Sequence, residues 1–148
     1  MSSTVRVKVN KLKWPKRVTM RVGILQDTQH NTPDGESISI MGLAETHEFG
    51  LGTAFERSFI RAGYDVLHEE IEAIALQQMQ IDPVLGAERT AVKAAAMFRN
   101  RMSDGLEPDL TEQTKQRKEK RNIHPPYKPL IETGVLKSAI AGDAEVVW

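Results

Sequence analysis

Between Ser58 and Gly105 apolar residues recur twice with a helical period, and an Asp-Pro step separates the two runs. In the first run Ile60, Tyr64, Leu67, Ile71 and Ile74 lie three or four apart, while Asp65, Glu69, Glu70 and Glu72 fall largely on other faces. This is the signature of an amphipathic helix. Asp82 then supplies a cap, and Pro83 takes the first helical position, where its missing N–H costs nothing. The second run, Ala91, Ala94, Ala95, Phe98 and Met102, is a narrow stripe of mostly small residues that lets a second helix pack closely on the first, with Gly105 as its stop.

The flanking segments have a different period. Val5, Val7 and Val9 alternate with Arg6 and Lys8, and Val18, Met20, Val22 and Ile24 alternate with Thr19, Arg21 and Gly23. Both runs predict half-buried strands, and Trp14-Pro15-Lys16 between them reads as the turn of an antiparallel pair. Residues 27–37 form a polar, exposed and mobile loop around Pro33-Asp34-Gly35, a turn signal because proline fixes its own backbone and glycine accepts positive φ. Ser37 or Ser39 caps a short helix through Ile40, Leu43, Ala44 and His47 that ends near Gly50 or Gly52.

Beyond Pro108, Thr111 caps a charged segment that runs to Arg121 with little to bury, and His124 to Pro129, HPPYKP, must be extended. The order of residues 108–129 is expected to depend on a partner. The C-terminal part predicts a short helix capped at Thr133, a turn at Gly142-Asp143 and a strand from Glu145 to Trp148 that joins the N-terminal pair. The expectation is a single α+β domain over residues 1–148: a small antiparallel sheet packed against two amphipathic helices, with extended loops.

Composition narrows the chemistry. At 148 residues, 40% of them apolar, the chain can bury one real core. It has no cysteine, so a disulfide framework and thiolate metal sites are excluded. Its start lacks the apolar run of a signal peptide, and nothing reaches the length of a membrane helix, so use in the cytosol, or in an assembly built there, is expected. The formal net charge is zero but segregated. Arg6, Lys8, Lys11, Lys13, Lys16, Arg17 and Arg21 precede the first acid, Asp27, and Lys115, Arg117, Lys118, Lys120 and Arg121 form a second basic block. Asp65 to Glu88 is acidic. Opposite-sign surfaces suit contact with nucleic acid or oriented stacking of subunits.

His47-Glu48 begins like a zinc-protease helix, but that pattern needs a second His four residues on, and position 51 is Leu between two glycines. His47 is read as a partly buried, hydrogen-bonded histidine, and His30, His68 and His124 have no ligand spacing. Glu69, Glu70 and Glu72 read as a solvated helix face rather than an acid–base pair. Gly50-Leu51-Gly52 lacks the rest of any dinucleotide or phosphate loop. The basic blocks lack interleaved aromatics, which argues against base-specific reading.

Three pieces of the chain resemble, in order, the small virion-morphogenesis, neck and tail-completion proteins of long-tailed bacteriophages, similar to the minor tail protein Z and virion morphogenesis groups. They are Arg21–Leu25, RVGIL; Ala44 followed by Glu48-Phe49-Gly50 and Arg57-Ser58-Phe59-Ile60-Arg61; and Thr111 and Lys115 followed by Pro129, Leu130, Ile131, Thr133, Gly134, Leu136, Ser138 and Ile140. The family's linker prolines are replaced here by Ala54-Phe55 and Ser58.

The resemblance implies a non-enzymatic ring component of the virion, assembled in the host cytoplasm, with no catalytic residue, cofactor or metal. Six copies, or a multiple, would surround the channel at the head–tail junction. They would meet head–tail connector proteins and tail tube or terminator proteins while DNA passes without sequence-specific contact; no membrane is involved. A tail terminator or another tail-assembly component, or a soluble DNA-binding protein, is the alternative. The candidate interface residues are Glu48, Phe49, Arg57, Phe59 and Arg61 at the corner, with Lys115, Lys118, Tyr127, Thr133 and Leu136 further on. Phe49, Phe55 and Phe59 either anchor that corner within one subunit or touch the next. Arg57 and Arg61 either reach a neighbour or satisfy helix carbonyls.

Overall fold

The computed structural model describes residues 13–31, 35–52, 54–104, 112–120 and 134–148. Alternation along Arg17–Ile24 produces the expected strand, β1, whose Val18, Met20 and Val22 are turned inward and whose Arg17, Thr19 and Arg21 are exposed. After the short strands β2 (Gln29–Asn31) and β3 (Ser37–Ser39) come the helices α1 (Ile40–Phe49), α2 (Arg61–Met79), α3 (Pro83–Asp104), α4 (Glu112–Lys120) and α5 (Val135–Ser138), then the last strand, β4 (Ile140–Val147). β1 and β4 pair antiparallel, from Arg17 opposite Val147 to Ile24 opposite Ile140. The C-terminal strand therefore joins the second of the two expected N-terminal strands; Val5 to Val9 lie outside the described residues.

Two expectations are corrected. Gly142-Asp143 is not a turn but the middle of β4, which begins at Ile140 rather than Glu145. A Cβ at Gly142 would lie 2.0 Å from the Ala91 carbonyl oxygen of α3, so glycine is there to let sheet and helix touch. Asp143 pairs across the ladder with Arg21, accepting from Nε at 2.8 Å and Nη2 at 2.7 Å. The polar loop, in turn, contains a small antiparallel hairpin, β2 against β3, with Gln29 opposite Ser39 and the Ser37 hydroxyl donating to Gln29.

The two long helices form as their periodicity requires. Asp82 accepts the N–H groups of Val84 and Leu85 at 3.0 and 2.9 Å, so α3 starts directly after α2 and the pair is an antiparallel hairpin. The small-residue stripe of α3, Ala87, Ala91, Ala94 and Ala95, is buried together with Phe98 and Met102. One core results: Ile40 and Ala44 of α1, Phe59, Ala95, Phe98, Met102, Leu136 of α5 and Ile140 of β4, with Val22, Leu67 and Ile71 packed around it. The architecture is α+β, small antiparallel sheets packed against long helices. Among the described residues no helix is long and apolar enough to cross a membrane. Gly134, with φ of 70°, stands at the start of α5, whose expected cap Thr133 lies outside the described residues, as do Gly105, Thr111 and Tyr127.

Candidate functional site

The corner between α1 and α2 is built from both of its ends. At the start of α1 the Ser39 hydroxyl accepts the Gly42 N–H at 3.0 Å and itself donates to Asp27, which also accepts the Met41 N–H. Those donors, Met41 first and then Ser39, hold the Asp27 carboxyl below its ordinary pKa. At the far end Gly50 takes a left-handed conformation, φ 64° and ψ 43°, and the Leu51 N–H folds back onto the Thr46 carbonyl. The chain then doubles back, and the Arg57 N–H donates to the His47 carbonyl at 2.7 Å. A Cβ on Gly50 would meet the Glu56 nitrogen at 2.8 Å, so the doubling leaves no room for one.

Helix α2 begins without a side-chain cap of its own, because Ile60 stands at the capping position. Its orphan N–H groups are met by Glu48 from the last turn of α1. One carboxylate oxygen accepts the N–H of Phe59 at 2.8 Å and of Ile60 at 3.0 Å; the other accepts the Arg61 N–H at 2.9 Å, the Ser58 hydroxyl at 2.8 Å and the Arg61 Nε at 3.1 Å. An anion at a helix N-terminus meets both the free donors and the positive end of the helix dipole. Burial by itself pushes the Glu48 carboxyl pKa up, but the donors from Ile60, Arg61, Ser58 and Phe59 outweigh it and hold the group below the ordinary glutamate value. Ser58, standing where the resembled family has proline, contributes one of these donors and also accepts the Ala62 N–H.

Arg61 closes the corner from outside. Its Nη2 donates to the Glu48 carbonyl and to Glu56, each at 2.8 Å, and its guanidinium lies 4.7 Å from the Phe49 ring centre. Arg57 is buried, with its guanidinium 5.7 Å from the Phe55 ring centre. The desolvated His47 ring, next to Arg57, has its pKa lowered by burial and then by that charge. The hydrogen bond expected of this ring is absent at Nδ1, which is buried without a partner among the described residues.

The candidate residues thus separate. Glu48, Arg57, Phe59 and Leu136 are enclosed by their own chain, and the last two belong to the common core. Little of these side chains is open to a neighbour in this conformation: Glu48 is taken up by the cap, Phe59 and Leu136 by the core, and Arg57 is buried beside the Phe55 ring. Phe49 and Phe55 remain 52% and 55% exposed, as does Leu51 at 51%. Lys115 sits on α4, 3.9 Å from Glu112, away from the corner in sequence, and the Lys118 side chain, Tyr127 and Thr133 lie outside the described residues. Sequence reasoning missed Asp27 and the capping role of Glu48; the available signal for the latter is that α2 has no capping residue of its own.

A second concave feature lies elsewhere. Met20 and Val22 of β1, Tyr64, His68 and Ile71 of α2, and Ala91, Ala94 and Phe98 of α3 line a groove of about 880 Å³. Tyr64 and His68 stack there, with ring centres 5.4 Å apart. Among the described residues no three His, Asp or Glu side chains converge as metal ligands. Comparison with family models, curated proteins and solved structures gives no match to this chain.

Proposed function

We propose that this protein is a structural virion component at the head–tail junction of a tailed bacteriophage, a ring subunit that completes the tail or neck and joins it to the head connector around the DNA channel. The observation that carries this reading is the corner itself. Glu48, Phe49, Gly50, Arg57, Phe59 and Arg61, through which the sequence resembles neck and tail-completion proteins, make up one bonded turn rather than being scattered over the fold.

That turn holds Phe49, Leu51 and Phe55 at the surface with an arginine beside two of them, a combination that interfaces favour. Segregated charge along the chain suits head-to-tail contacts between copies, which close into a ring when each is related to the next by rotation. DNA then passes through the lumen without sequence-specific contact.

Imaging of particles that lack the protein tests the role. Separate full heads and finished tails are expected. Overlong or absent tails would instead assign it to tail termination or assembly. Steep salt dependence of affinity for DNA, measured on the purified protein, would favour a DNA-binding role.

A further inference from the structure

Half of the large apolar side chains that the described residues leave exposed lie on the hairpin of α2 and α3: Tyr64, Val66, Leu76, Ile81, Leu85 and Val92. The helical period explains why folding spares most of them. α3 turns Ala87, Ala91, Ala94 and Phe98 inward, so Leu85, Val92 and the half-buried Ala96 fall on its far side. α2 turns Leu67 and Ile71 to the core, which leaves Val66, Ala73 and Leu76 outside. Each stripe is roughly 15 Å long at about 1.5 Å per residue. Their charges are opposite. No Lys or Arg occurs between Arg61 and Arg89, and the exposed Asp65, Glu69, Glu70 and Glu72 make the outside of α2 acidic. Beside the α3 stripe stand the exposed Arg89 and Lys93 and the half-buried Arg99, against one acid, Glu88. A hollow of about 440 Å³ lies over Leu85, Val92 and Ala96, and on the other face Leu76, 69% exposed, stands out as a knob.

We propose that the outer face of α3 in one copy of this chain docks on the outer face of α2 in the next. The proposal rests on the reading of the chain as a ring subunit and names the surfaces through which its copies meet. Contact between the two apolar stripes supplies buried area, and the flanking charges choose the pairing. An α3 face against another α3 face would set Arg89 and Lys93 against their like, and an α2 face against another α2 face would oppose two sets of carboxylates. Only the mixed contact brings acid to base. Such a contact is heterologous, so a docked copy still offers its second face to a further one, and a series related by rotation closes into a ring. The contact does not require Phe49 or Phe55, so it stands apart from the corner.

Charge reversal in the full chain tests it. One variant carries Arg89→Glu with Lys93→Glu and a second carries Glu69→Lys with Glu70→Lys; all four positions are exposed, and each exchange keeps a good helix former, so both chains should fold as the parent does by circular dichroism. Either pair of changes should weaken self-association at least about tenfold, read as mass in solution against protein concentration. Mixing the two variants should restore it, because each then offers the other a complementary face, and so should all four changes in one chain. Association of either variant as strong as the parent's, or no recovery in the mixture or in the combined variant, would overturn the docking and leave the ring reading to another face. A parent that stays monomeric at its highest soluble concentration would overturn it too, and imaging of particles that lack the protein then decides the ring reading by itself.

Discussion

Glu48 shows how much one side chain can determine. It meets three consecutive backbone donors, a hydroxyl and a guanidinium from a position where it is almost wholly buried. Glu48→Gln keeps the shape but turns an amide N–H₂ toward donors, and removal of a hydrogen-bonded charge costs about 2–3 kcal/mol. The melting temperature of this variant should drop by roughly 5–10 °C. The same group sets a pH dependence. Its folded pKa lies below the unfolded one, so its contribution is complete above the ordinary glutamate range and is lost as pH falls through the lowered folded value. Denaturant titrations from neutral to acid pH should therefore show a steeper acid loss in the parent than in Glu48→Gln. Parallel curves would remove Glu48 from that role. Nothing in the sequence around Glu48 announced this, because its partners lie ten or more residues away across a loop. The Ser39 and Asp82 caps were legible, because each of those side chains bonds the backbone within three residues of itself.

At the scale of elements the same distinction holds. Helices α2 and α3 were legible because their apolar stripes repeat over many turns and end at local signals. The strand β4 was half legible. Val146, Val147 and the adjoining Trp148 are of the types strands favour, but Gly142-Asp143 carries the chemistry of a turn, and only the approach of α3 explains why glycine stands there. The hairpin β2–β3 left little trace, since Ile38 is the single apolar residue in its two strands and the pairing relies on polar contacts. Gly142→Ala should be costly for a residue on a strand. The added methyl cannot fit 2.0 Å from a helix carbonyl, so α3 and the sheet must separate, at about 1–3 kcal/mol. Thermal unfolding followed by circular dichroism would measure it. A melting temperature equal to that of the parent would mean that sheet and helix separate freely. By contrast, Arg21→Ala removes an ion pair whose two side chains are both well exposed and should change stability by less than about 1 kcal/mol.

For the whole molecule, the question is whether the corner's surface grips another copy. Folding uses the buried members of the corner, Glu48, Arg57 and Phe59, and leaves Phe49 and Phe55 outside, each with an arginine near its ring. This partition separates assembly from stability. A double substitution, Phe49→Ser with Phe55→Ser, removes two rings that the isolated chain leaves about half exposed, together with their arginine contacts, so its stability should fall by about 1–2 kcal/mol and the subunit should stay folded. If copies meet through this face, aromatic anchors of this kind cost more than about 1 kcal/mol each when truncated at an interface. A ring repeats the contact at every subunit boundary, so the loss is multiplied and closure should fail at concentrations where the parent assembles. Mass measurement in solution on the two proteins, paired with thermal unfolding, reads both quantities. A folded subunit with only that small loss of stability, but with no ring, assigns the corner to the interface. An intact ring in the double variant confines the corner to its own subunit and leaves the contact between copies to another face.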